Sequence, residues 1–347
     1  MRAFLVVLLL SVFLVACNND EENSDEKSNE IPEVEENKSE EETSDSTTAE
    51  DVKEEAIEEE SEEVSFKVED TPAPEDQGEM EVWFDGEFSI VDKTVIVKGQ
   101  TNLLPDSQLT FSADVVDGVL IGGWSTTRVE ANGTFELEQE LPSDLEGLTM
   151  LELHFDVDDQ IDEIKEHYGS NISGPFVRID PDADTVAKKA SYTTIVIIDD
   201  SEQQITIEEP EWTASDELGD SNVLMDPTVK KQGEYVVVNL TSNLVDGTYV
   251  SAKAAIPNYI TTGFSGSAYT NPDGSAVLYI KDPEQDSRIK NLTEYEIVLT
   301  VDPTHGDQGP LVLETYGETG ENLAGDFVKQ ADDHKEIEQR ITIQAGS

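Results

Sequence analysis

Four blocks of this 347-residue sequence occur twice, in the same order. "TNLLPDSQLTFSADV" from Thr101 is answered by "SNLVDGTYVSAKAAI" from Ser242, and "GWSTTRVEANGTFEL" from Gly123 by "GFSGSAYTNPDGSAVL" from Gly263. "GLTMLELHFDVDD" from Gly147 matches "NLTEYEIVLTVDP" from Asn291, and "YGSNISGPFV" from Tyr168 matches "YGETGENLAGDFV" from Tyr316. Ordered self-similarity of this kind means one folding unit written twice. It assigns residues 80–200 to a first copy and 222–347 to a second. Residues 201–221, polar, acidic and carrying Pro210, form the joint.

Each copy has the two-residue period of a sheet with one buried face. Leu151, Leu153, Phe155 and Val157 alternate with Glu152, His154 and Asp156. Tyr295, Ile297, Leu299 and Val301 do the same in the second copy. Leu109, Phe111, Ala113 and Val115 make another such strand, and Phe135 and Leu137 the apolar side of a further one. Thr94–Val97 and Tyr235–Val238 are continuous apolar runs, as expected of central strands. Turn signals separate the runs at Pro105-Asp106, Asp117-Gly118, Asn132-Gly133, Asp246-Gly247 and Asp273-Gly274. About seven short strands in some 120 residues predict an antiparallel β-sandwich. The fold class is therefore all-β, with two tandem sandwiches. A helix is expected in the first copy alone: Asp159 as cap, Ile161 and Ile164 facing the core, Gly169 as the stop. The corresponding "PTHGDQGPLVLE" of the second copy is read as a loop, and as the main divergence between the copies. The block pattern resembles the immunoglobulin-like or fibronectin-like modules of bacterial surface proteins.

Upstream of the repeats the composition changes. Phe4–Val15 is apolar apart from Ser11, preceded only by Arg2. A dozen residues are too few to span a bilayer, which takes roughly 20. They have the form of a secretory signal peptide, residues 1–16, cut after Ala16. Leu14-Val15-Ala16-Cys17 resembles the lipobox of bacterial lipoproteins. The resemblance implies that Cys17, the only cysteine, carries diacylglycerol and a further acyl chain such as palmitate, anchoring the chain to the outer face of the cell membrane. Two or more chains are what holds a protein stably there. An acylated Cys17 also leaves no thiol for disulfides or thiol chemistry.

Residues 17–79 are Glu, Asp, Ser, Asn and Thr with few large apolar side chains. Such a segment cannot offset its ordering entropy, so a disordered tether is expected. Its reach as a flexible coil is roughly 40 Å. Asn18–Met80 holds 27 acidic and 4 basic residues, leaving 51 acidic and 16 basic beyond Arg2 for the rest. The formal net charge of the chain is −57. A nucleic-acid partner is excluded on electrostatic grounds. Acid on folded domains has two readings, solvation in a salty or alkaline exterior and cation binding.

His154, His167, His305 and His334 form no motif, and neither a Gly-x-Ser-x-Gly elbow nor a His-Glu-x-x-His pair is present. No catalytic residue is assigned. Carboxylate pairs are too abundant to single one out for a hydrolase. Calcium is the one cofactor with a sequence signal: "DVDD" at Asp156–Asp159, "DPDAD" at Asp180–Asp184 and "DPEQD" at Asp282–Asp286 place hard oxygen ligands in loops. The candidate set is Asp180, Asp182 and Asp184. Trp124, aligned with Phe264, is read as a core aromatic, and Trp212 as a wedge between the copies. The functional expectation is a membrane-anchored, non-catalytic module that binds or spaces a surface or cell-wall partner. The alternatives are a calcium-loaded structural or adhesion protein and, less favoured, a carboxylate-dependent cell-wall hydrolase.

Overall fold

The computed structural model describes residues 71–116, 120, 122–259 and 262–346. The signal peptide, Cys17, most of the acidic tether and the Asp117-Gly118 turn lie outside the described residues. In the first copy the strands are β1 (Phe84–Val91), β2 (Thr94–Thr101), β3 (Gln108–Val115), β4 (Trp124–Arg128), β5 (Thr134–Glu140) and β6 (Gly147–Asp156). Helix α1 (Asp162–Tyr168) and strands β7 (Val177–Asp180), β8 (Ala187–Ile198) and β9 (Gln203–Thr206) follow. The second copy has β10 (Met225–Gln232), β11 (Tyr235–Ser242), β12 (Tyr249–Ala255), β13 (Ser265–Tyr269), β14 (Ala276–Lys281) and β15 (Glu294–Val301). Helix α2 (Pro310–Tyr316), β16 (Val328–Gln330) and β17 (Lys335–Gln344) complete it.

The sheets are β5-β2-β1-β9 and β4-β3-β6-β8-β7 in the first copy, and β10-β11-β14 and β13-β12-β15-β17-β16 in the second. Every pairing between these strands is antiparallel. Reading β1, β2, β3, β4, β5, β6 and β8 as A, B, C, C′, E, F and G, the first copy has sheets A-B-E and C′-C-F-G. That is the Greek-key arrangement of immunoglobulin-type sandwiches. The chain is all-β in class, and each copy closes over its own core. Leu151, Leu153 and Phe155 line the first; Ile297, Leu299 and Val301 line the second. Both sandwiches belong to one compact unit.

The two cores are braced by the same polar clamps. Buried Asn102 accepts a hydrogen bond from Trp83 N–H and donates to Glu81 C=O; Asn243 does so with Leu224 and Asn222. The hydroxyl of Tyr168 accepts from Leu104 N–H at 2.9 Å, and that of Tyr316 from Val245 N–H at 3.2 Å. The repeated Tyr-Gly pair therefore ties the helix to the loop after the second strand.

Several local expectations change. Strand pairing sets Phe155 against Val301, because Phe155 joins the register of Leu109 and Ala190 as Val301 joins that of Val250 and Ile337. This shifts the third sequence block by two residues and preserves its in–out parity. The first helix begins after Ile161, which is 47% exposed and makes no side-chain cap, so Asp159 is not the cap and Ile161 is not core. The second copy does contain a helix. Pro310 sits at its start, where a missing N–H costs nothing and φ is already helical. Buried Val312 and Tyr316 hold it to the sandwich. Strand register sets Trp124 against Ser265 and Gly123 against Phe264, a one-residue slip from the sequence alignment, so Trp124 is 65% exposed on an edge strand while Phe264 is buried. Gln203–Thr206, within the stretch read as joint, pairs with β1.

Candidate functional site

The outer face of the first copy's larger sheet is polar by alternation. Glu152 and His154 on β6, Lys189 on β8, and Arg178 and Asp180 on β7 all stand there. That face was expected to be wet. Each of these side chains is instead at most 18% exposed. Asp246, from the loop after β11, comes against them from the second copy.

The contacts form a chain of opposite charges. Lys189 Nζ lies 3.4 Å from Glu152 and 3.6 Å from Asp180. Arg178 donates to Thr270 C=O at 3.0 Å and lies 3.9 Å from Asp246. Ile179 N–H, on β7, donates to the second Asp246 oxygen at 2.6 Å. Asp246 thus satisfies a backbone donor of the first copy, and Arg178 a backbone acceptor of the second. Burial opposes the charge on Glu152, but Lys189, His154 and Arg178 overcome it and hold its carboxyl below the usual range. For Asp246 burial wins over Arg178 and the hydrogen bonds from Ile179 and Gly247, and its carboxyl is raised.

Beside this network lies an open cleft of about 460 Å³. One wall is Pro181–Asp184, the loop after β7; the other is built from the loop before α2 and the helix itself, with Asp307 and Glu314. The loops meet at Gly309, where an added Cβ would lie 2.9 Å from Pro181 backbone atoms. Any side chain there would force the two copies apart.

The calcium candidates are divided by this geometry. Asp180 is buried and paired with Lys189. Asp182 and Asp184 are exposed and line the cleft with Asp307 and Glu314. The joint is pinned at both ends of its contact: Trp212 Nε1–H donates to Pro175 C=O at 2.6 Å, and Thr213 N–H to Asp273 at 3.4 Å. Trp212 therefore does lie where the joint touches both copies. Sequence reasoning missed Arg178, Lys189, Glu152 and Asp246. The available signal was two cations placed opposite each other on neighbouring strands of a chain otherwise poor in Lys and Arg.

Among the described residues no helix is long and apolar enough to cross a membrane. The chain matches no family model and none of the curated proteins compared. Among solved structures it is similar to the D0–D1 domain of Intimin, over 61% of this chain and 85% of that one, at 8% identity and a TM-score of 0.17. A score that low carries no argument, and the fold assignment above rests on strand order.

Proposed function

We propose that the chain is an extracytoplasmic lipoprotein, held to the cell membrane through acylated Cys17, whose two joined sandwiches act as a non-catalytic surface module. The acidic segment of residues 17–79 spaces that module from the bilayer, and a surface or cell-wall component is its partner. The observation that carries the reading is the junction. The buried acids and bases that could do chemistry are spent on one another and on backbone groups across the two copies. Glu152 and Asp180 share Lys189, and Asp246 holds Arg178 and Ile179. A general acid or base needs a reacting group within hydrogen-bond reach, and these face structural partners. What the arrangement supports is a fixed relation between two binding scaffolds.

The test is fractionation of cells expressing the wild-type chain and Cys17→Ser. The expected result is membrane-bound, globomycin-sensitive wild type and a variant that is released or left unprocessed. Identical fractionation of the two chains, with globomycin-insensitive processing, would refute the anchoring.

A second reading is favoured by the cleft. Asp182, Asp184, Asp307 and Glu314 on its walls offer the hard oxygens calcium takes. In that reading calcium strengthens the junction and the module remains non-catalytic.

A further inference from the structure

The second copy carries an arrangement that the first does not. Val301 on β15 and Ile337 on β17 are register partners, both buried. One step further along the same register, Asp302 and Glu336 turn to the opposite face. His334, two residues before Glu336, reaches the same place. One donor atom from each of the three lies within 4.8 Å of the others.

The histidine stands between two carboxylates, those of Asp333 and Asp302. Its Nδ1 sits 3.2 Å from the Asp333 carboxylate, a contact in which that nitrogen carries the N–H. Nε2 is shielded from solvent and has no hydrogen-bond partner, although it lies 3.4 Å from Asp302 Oδ1. The Asp302 carboxylate is itself fixed by Thr304, whose N–H and hydroxyl donate to it at 2.8 and 2.7 Å. Two carboxylates and an imidazole nitrogen brought to one point require a positive charge there, supplied either by a second proton on His334 or by a metal ion that displaces it.

The first copy shows what that charge is when the protein supplies it. By strand register Asp156 corresponds to Asp302 and Lys189 to Glu336. There the ammonium of Lys189 stands among acids and pairs with Glu152 and Asp180 rather than with Asp156 itself. In the second copy the lysine position is an acid. The basic residues near β17 are engaged elsewhere: Lys329 and Arg340 with Glu338, and Lys335 with the carbonyls of Glu321 and Leu323.

We propose that Asp302, His334 and Glu336 bind a divalent transition-metal ion of the zinc class. Donors on one tetrahedral zinc, each at ~2.0–2.2 Å from it, are roughly 3.4 Å apart. The His334–Asp302 pair has that spacing already, at 3.4 Å, and the Glu336 donor lies within 4.8 Å of both. An imidazole nitrogen selects zinc, cobalt or nickel over calcium and magnesium, which take oxygen. Three protein ligands leave a fourth position for water or for a donor from a partner. The site is separate from the acidic cleft and does not depend on how the chain is anchored.

The experiment uses the metal-stripped full chain, with cobalt(II) as the spectroscopic probe and zinc as competitor. The expected result is one inner-sphere cobalt with visible d–d absorption, displaced by zinc and not by millimolar calcium. His334→Ala and Glu336→Gln should each weaken it at least tenfold, within the roughly 10–100-fold range of ligand-shell losses. His305→Ala, altering a histidine outside the site, should leave it unchanged. Circular dichroism of the metal-free variants checks folding; if His334→Ala misfolds, Glu336→Gln decides. Cobalt or zinc titrations of a folded His334→Ala or Glu336→Gln chain indistinguishable from wild type would place the metal on the other acids and overturn the assignment. A His334 ring resonance unmoved by saturating zinc would do the same.

Discussion

Replacing Asp246 by alanine tests whether the two sandwiches are locked by charge. The substitution deletes the 2.6 Å hydrogen bond from Ile179 N–H and the partner of Arg178, whose side chain is only 17% exposed. A hydrogen bond to a charged group contributes roughly 1.5–3 kcal/mol, and stranding a part-buried cation adds to the loss. Burial already works against the Asp246 charge, as its raised carboxyl shows, and Arg178 keeps its bond to Thr270 C=O. These offsets leave a net loss of about 2 kcal/mol, or a fall in Tm of roughly 4–8 °C. Calorimetry of the full chain is the assay. The wild type should melt in one transition, and Asp246→Ala should melt lower and split into two as the copies uncouple. Asp246→Asn should lose less than Asp246→Ala, since its amide oxygen still accepts from Ile179 and the cost of burying the charge is removed. Pairing Asp246→Ala with Arg178→Met should return a coupling of at least about 0.5 kcal/mol. A single unsplit transition within about 1 °C of wild type, too small for the worked loss, would refute the reasoning.

Further outcomes follow from the same geometry. The raised Asp246 means the folded chain binds that proton more tightly than the unfolded one. Its contribution therefore falls as pH rises from the ordinary Asp value through the folded one, and Asp246→Asn should remove that slope in denaturant titrations. Glu152, held below its ordinary value, has the opposite sign. Its stabilisation is present above the ordinary Glu value and is lost as pH falls through the folded one, so Glu152→Gln should flatten the acid limb. The twin glutamines offer an internal control: Gln160 holds the backbone of Gln108 and the carbonyl of Asp156, as Gln308 holds Tyr249 and Asp302. Either alanine variant should lose roughly 2–4 kcal/mol in urea unfolding, because buried backbone groups are orphaned, and markedly unequal losses would count against equivalent clamps. For calcium, melts at matched ionic strength in EDTA, calcium and magnesium should show a calcium-specific rise that Asp182→Asn with Asp184→Asn abolishes. Asp180→Asn should instead lower the melt even in EDTA, since it breaks the pair with Lys189.

Much of the architecture was legible because alternation is a local property. Leu151, Leu153 and Phe155 announce a buried face whatever they pair with, and the second copy of each block reinforces the first. The helix at Pro310–Tyr316 carried local signals that were passed over, with Pro310 at its first turn, Leu311, Leu313 and Glu314 inside it and Gly317 past its end, and Tyr316 reaching the loop at Val245 fixes it to the sandwich. Trp124 was misread because the alignment set it against Phe264 where the strands set it against Ser265, and a one-residue slip moves a side chain to the other face of the sheet. The calcium candidates divided because Lys189, seven residues past Asp182, reaches Asp180 only once β7 and β8 pair.

By itself the sequence determined the duplicated all-β design, the parity of each strand and the acidity of the chain. It also carries the cysteine motif on which the proposed anchoring rests. These are properties of composition, order and two-residue period, which survive any change in long-range packing. The tertiary structure alone decided which polar faces are covered, that Asp246 completes β7 of the other copy, and that Asp302 meets His334 and Glu336. Those meetings join residues tens of positions apart, and charges acquire partners and shifted protonation only when packing has removed the water between them.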